Sequence, residues 1–163
     1  MYHCVWARAE RPTKKAPQTT IALLMAFELT VIDEGLSDFP RMYAWYRLVR
    51  CWSAMRFDDH RGMVPQLIRL GAGGLRATLV RTKTTGAGKK KEQLESVLDS
   101  MAYIIEENWL ATGWQLWLKH DFPRDYFLCM PAVGLQGVRP HVMPMVSQCR
   151  GLLRAHLPTR RGR

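Results

Sequence analysis

The residues best suited to chemistry on an anion are Arg56, Asp59 and Lys83. Arg56 sits in "AMRFDDHRG", residues 54 to 62, with Asp58, Asp59 and His60 directly behind it. The stretch before it, Met42 to Met55, is aromatic and apolar, and Trp45, Val49 and Trp52 share one helical line. Arg56 is the next position on that line. A guanidinium there must be paired or bound, because a buried unpaired charge is costly. Asp59, one turn further on, is placed to pair with it. In one reading this pair closes the helix end and Arg56 extends to water. In the other, Asp59 holds the guanidinium toward an external anion, since arginine's two parallel donors match two oxygens of one phosphate. Lys83 raises the same choice. It precedes the glycine-rich stretch Thr85-Gly86-Ala87-Gly88, either as a solvated tip or as a long donor reaching into a DNA groove.

Other chemistries fail on spacing. Gly71-Ala72-Gly73 begins like a dinucleotide fingerprint, but Arg76 occupies the third glycine position. Gly86-Ala87-Gly88-Lys89 hints at a phosphate loop, yet Lys83 stands where the first glycine belongs and Lys90 where Ser or Thr must hold magnesium. Both stretches read better as hairpin turns. None of His3, His60, His120, His141 and His156 belongs to an HExxH or pairs with a cysteine at ligand spacing, and no GxSxG elbow occurs. Cys4, Cys51, Cys129 and Cys149 form no CxxC pair, so neither a zinc site nor a disulfide scaffold is expected.

The positioning elements follow from pattern. The 163 residues, 47% of them apolar, are enough for one domain with a core. A net charge of +10 asks for a polyanionic partner, nucleic acid or a membrane surface. The charge is concentrated: from His60 to Lys91 there is no acid, against Arg61, Arg69, Arg76, Arg81, Lys83, Lys89, Lys90 and Lys91. The bland reading of such a run is a solvated face. The scattered cysteines make an intracellular, reducing compartment the default; no secretory segment is expected, and the longest apolar run, Ile21 to Phe27, is too short to span a bilayer.

Spacing predicts a helix over 17–32, a stop at Gly35, and a second helix from Ser37 or Asp38, with Pro40 in its first turn, to about Met55. Short strands are predicted at 67–70 and 75–82, with a third at about 89–97, although "KEQLES" also tolerates helix. A last helix is predicted over 108–118, with Leu110, Trp114 and Trp117 as its buried stripe. The expected fold class is α+β, a mostly helical domain with a small three-stranded antiparallel sheet. Residues 1–16 read as a loose basic arm, 17–126 as the domain, and 127–163 as an irregular basic tail.

Taken together, these pieces resemble the catalytic domain of tyrosine recombinases. "AMRFDDH" is similar to that family's "GLRxSEL", and "RTKTTGAGK" to its hairpin tip "TKTG". The run "RFDDHRG…RTKTTGAGKK…WLATGWQLW…DFPRDY" looks most like the recombinases of eukaryotic mobile elements, the DIRS-type and Crypton-like kinds. The resemblance covers about Ala16 to Tyr126. It implies DNA phosphoryl transfer without metal or cofactor, in which a tyrosine attacks the scissile phosphate and forms a 3′-phosphotyrosyl link. It implies that Arg56 and Lys83 are catalytic and Asp59 supporting, and that Arg81, Lys83, Lys89, Lys90 and Lys91 contact DNA. The lysine would donate a proton to the leaving oxygen.

The chain departs from the family in its second box. No HxxR occurs, His120 precedes Arg124 by four residues as His156 does Arg160, and no nucleophile is identified, Tyr126 standing before the place of that box. The implied protein is therefore a partial catalytic domain, a DNA-binding recombinase fragment that serves DNA recombination and integration, enzymatic by ancestry and inactive as this chain. Its implied partner is double-stranded DNA, with self-association on that DNA allowed, no membrane, no small-molecule substrate and a nuclear location. The alternative is a non-enzymatic basic module that binds nucleic acid or an acidic partner.

Overall fold

Thr20 opens the first helix by accepting the Leu23 N–H on its hydroxyl at 3.3 Å. In the computed structural model, which describes residues 19–80, 94–120, 122–131 and 138–139, this helix is α1 (Ile21–Ile32). Asp33 ends it, its carboxylate taking the Gly35 N–H at 2.9 Å. Ser37 is the N-cap position of α2 (Asp38–Trp52), with Asp38 in the first turn where the helix dipole favours an anion.

α2 is the spine of the core. Met42, Ala44, Trp45, Tyr46, Leu48 and Val49 are all buried, nearly all the way round, as befits a helix enclosed by its neighbours. α1 and the last helix both pack on it. That helix crosses α2 at Gly113, where any Cβ would overlap the Trp45 indole. Glycine is what permits the approach. Trp45, Tyr46, Trp117 and Phe127 then close into one aromatic cluster, with Phe127 centroids 5.3, 4.8 and 5.0 Å from Trp45, Tyr46 and Trp117.

A carboxylate ties the layer together. Glu28 of α1 is wholly buried, and it accepts the backbone N–H groups of Ile104, Ile105 and Glu106 at 2.9, 2.9 and 3.1 Å. Three converging amides stabilise the anion as a backbone nest does. They also fix the segment that leads into the last helix.

The fold is α+β, and the sheet is three-stranded and antiparallel, in the order β1 (Arg69–Gly71), β2 (Gly74–Leu79), β3 (Leu94–Leu98). Gly71 pairs with Gly74 across a tight turn, so the glycine-rich stretch is a hairpin. Gly74 has φ +112°, and a side chain there would strike the Leu98 backbone. Leu75, Ala77, Leu79 and Leu98 face the core, while Arg76 and Val97 face out. α4 (Trp109–Lys119) follows, then the short pair β4 (Met130–Pro131) and β5 (Val138–Arg139).

Three expectations change. The second helix ends at Trp52 rather than near Met55, because the chain turns through Ser53 and Ala54, the latter at φ 52°. The strand expected at 67–70 starts later, since Pro65–Leu67 form a single 3₁₀ turn. The core does not stop at Tyr126: Phe127, Leu128, Cys129 and Met130 are buried within it. The arm at 1–16 and most of the expected tail lie outside the described residues.

Replacing Gly113 by Ala should destabilise the fold by about 1–3 kcal/mol through overpacking against Trp45, read as a lower midpoint in urea unfolding. Glu28→Gln removes one acceptor oxygen and points a donor at backbone donors, so it should cost about 2 kcal/mol or more in the same measurement. Wild-type stability in either variant would refute the corresponding role.

Candidate nucleic-acid interface

Arg56 is not the next core position of α2. It is the N-cap residue of a separate five-residue helix, α3 (Phe57–Arg61), and its side chain is exposed. The turn at Ser53–Ala54 breaks the helical line, and so the guanidinium never meets the burial cost that the line implied. Asp59 acts differently too. Its carboxylate accepts the backbone N–H of Arg56 at 3.0 Å, the acidic half of a capping box, rather than the guanidinium. Asp58 is the acid that pairs, with Arg61 at 3.1 Å. Among the described residues the Arg56 guanidinium has no ion-pair partner. It is held by its backbone and open to solvent.

α3 is short, and tertiary contacts fix its far end. The His60 ring is 2% exposed and stands edge-on to Phe127 and Tyr46 at 4.8 and 6.5 Å between centroids. Gly62 accepts the Val80 N–H at 3.0 Å, and Val64 donates to Thr78 at 2.9 Å. The end of α3 is thus bonded to the end of β2, the point from which the chain continues to Arg81. Arg81, Lys83, Lys89, Lys90 and Lys91 all lie outside the described residues, as does the second glycine-rich stretch.

The sequence reading passed over two arginines beside this corner. Arg47 and Arg50 are half-buried on α2, one turn apart, and both act electrostatically on His60. Burial, helped by these two cations, holds the His60 imidazole down at about 3 from the ordinary 6.5, so it is neutral at pH 7. The Arg47 guanidinium lies 5.8 Å above the Phe27 ring.

His120 and Arg124, the nearest approach to a second box, are committed within the fold. His120 and Lys119 each reach Asp38 at 2.8 Å, and the hydrogen bond from Lys119, with a further one from His120, holds that carboxyl below its ordinary value against the opposing effect of burial. Arg124 is buried, stacked between Trp117 at 3.8 Å and Phe122 at 4.3 Å, and donates to the His120 carbonyl. Its charge lies beside Tyr46 and Cys129, whose phenol and thiol burial nevertheless pushes above their ordinary values. A groove of about 440 Å³ opens here, lined by Pro65, Gln66, Trp117, Phe122, Pro123 and Arg124. Among the described residues no cluster of His, Cys, Asp and Glu could hold a metal, and no helix is long and apolar enough to cross a membrane.

The His60 environment sets a pH dependence. A histidine whose folded value lies below its unfolded one takes up its proton on unfolding, so its contribution is intact above about pH 6.5 and is lost as pH falls toward 3. Between pH 7 and pH 5 the unfolding free energy should drop by about 2 kcal/mol from this group alone. His60→Phe should remove that share of the drop, measured by urea unfolding at both pH values; an unchanged drop would show that His60 is not its source.

Comparison of the chain with protein-family models, with curated proteins and with solved structures finds no match in any of the three.

Proposed function

We propose that this protein binds duplex DNA through the Arg56 turn and the basic stretch that follows β2, as a tyrosine-recombinase-type core without a working second box. The observation that carries this reading is the bond from Val80 to Gly62. Arg56 opens a helix about 7.5 Å long. The far end of that helix is joined to the residue before Arg81, so two segments distant in sequence meet at one corner of the domain.

The chemistry agrees with that placement. Arg56 is exposed, backbone-anchored by Asp59 and without an ion-pair partner among the described residues, as a donor for two oxygens of one phosphate must be. The net charge of +10 favours a polyanion over any neutral ligand. Cleavage is a separate matter. His120 is occupied by Asp38, Arg124 by two aromatic rings and a carbonyl, and no tyrosine is assigned as nucleophile. The reading is therefore DNA binding without strand cleavage.

The expected result is duplex binding whose affinity falls steeply, by about 10³-fold or more, between 50 and 200 mM salt. Arg56→Gln should weaken it about tenfold at fixed salt, the loss of a charge-assisted contact. A nicked suicide duplex should give no covalent protein–DNA product. Equal affinity for heparin and duplex would overturn DNA as the partner, and a covalent product would overturn the absence of cleavage.

A further inference from the structure

We infer that the groove beside Arg124 binds a small monocarboxylate with a flat apolar body, its carboxylate pairing with the Arg124 guanidinium. This goes beyond the DNA-binding reading and does not rest on it, and the recombinase resemblance implies no small ligand. The groove holds about 440 Å³. Small-molecule sites run from roughly 300 to 1,000 Å³. Three parts of the chain line it: Pro65 and Gln66 of the 3₁₀ turn, Trp117 of α4, and the segment Phe122, Pro123 and Arg124. The Gln66 amide donates to the Arg124 carbonyl at 3.2 Å, which ties the turn to that segment.

Arg124 is the only charged residue in this lining. It is 5% exposed and makes no ion pair among the described residues. Its Nη2 donates to the His120 carbonyl, while its Nη1 has no hydrogen-bond partner among those residues. The Tyr46 phenol and the Cys129 thiol lie beside the charge, but burial favours their neutral forms, so neither compensates it. The Trp117 and Phe122 rings, 3.8 and 4.3 Å away, hold the guanidinium in place. A buried cation without a counter-charge is costly, and one negative charge offsets it. Arginine's parallel donors match the two oxygens of a carboxylate. A dianionic phosphate facing this single cation would be left half-compensated between apolar walls, whereas a monocarboxylate is matched. The indole, phenyl and proline surfaces suit a flat apolar body. A role confined to packing would leave the groove indifferent to a ligand's charge.

The experiment is calorimetric titration of the full chain at pH 7 with 2-naphthylacetate and with 2-naphthylacetamide, a neutral ligand of the same shape. The carboxylate should bind saturably with a Kd below about 1 mM, and the amide about tenfold more weakly. Two variants locate the site. Arg124→Lys keeps the charge but loses the planar fork, and should weaken carboxylate binding about tenfold. Gln66→Glu sets a like charge at an exposed lining position and should also weaken it about tenfold, with a thermal midpoint near that of wild type. If Arg124→Lys does not fold, Gln66→Glu decides. Equal affinity for carboxylate and amide, or no saturable binding of the carboxylate, overturns the inference. Unchanged affinity in Gln66→Glu puts the ligand elsewhere and overturns it too. Displacement of bound naphthylacetate by duplex DNA would assign the groove to the DNA surface, and a separate small-ligand site would fall.

Discussion

The seating of Trp45 on Gly113 is the constraint from which the rest of the domain follows. A tryptophan in the middle of a buried helix needs a neighbour thin enough to admit it, and α4 supplies one glycine at the crossing point. With the backbone that close, Trp117 comes within 6.0 Å of Trp45, and Phe127 fills the remaining side of the cluster. Tight packing transmits position, because a dense interior has few alternative arrangements. α2 therefore cannot shift or rotate without disturbing α4 and the 127–130 segment together.

That rigidity is what gives Arg56 a defined place. A five-residue helix has no stability of its own. α3 exists because His60 packs edge-on against Phe127 and Tyr46, because Asp59 caps the first turn, and because Gly62 is bonded to Val80 and Val64 to β2. Arg56 is exposed, but His60 and Gly62, which help to locate it, are buried. A site of this kind is precise although it stands on a turn, since the turn is bounded on one side by a packed helix and on the other by a strand.

The sequence made some of this legible. Helical spacing located α1, α2 and α4, and the glycine run at 71–74 between apolar strands located the first hairpin, because these signals are local. The end of α2 was misplaced for a physical reason. Trp45, Val49, Trp52 and Arg56 keep helical spacing on paper, and nothing in residue type announces that Ala54, a good helix former, takes a left-handed conformation. The role of Asp59 was misread with it: an acid three residues after a basic one suggests an ion pair, whereas here the acid takes the backbone amide. Phe127 to Met130 looked like tail because prolines surround them, and their burial is decided by α2 and α4 far away in the chain. Arg47 and Arg50 drew no notice because a pair of arginines inside an aromatic helix reads as its solvent edge until α3 is folded back beside it.

Interior charge in this domain is held by the backbone and by aromatic rings. Glu28, Arg41 and Arg124 are all buried, and none makes an ion pair among the described residues. Each is stabilised by backbone dipoles instead: Glu28 by three N–H groups, Arg41 by the Val31 carbonyl at 2.9 Å, and Arg124 by the His120 carbonyl with two ring faces. Burying charge against fixed dipoles spares the domain a matching buried partner of opposite sign. A dipole built into the backbone is already in place when the charge is buried beside it, whereas a buried ion pair must desolvate two charges at once.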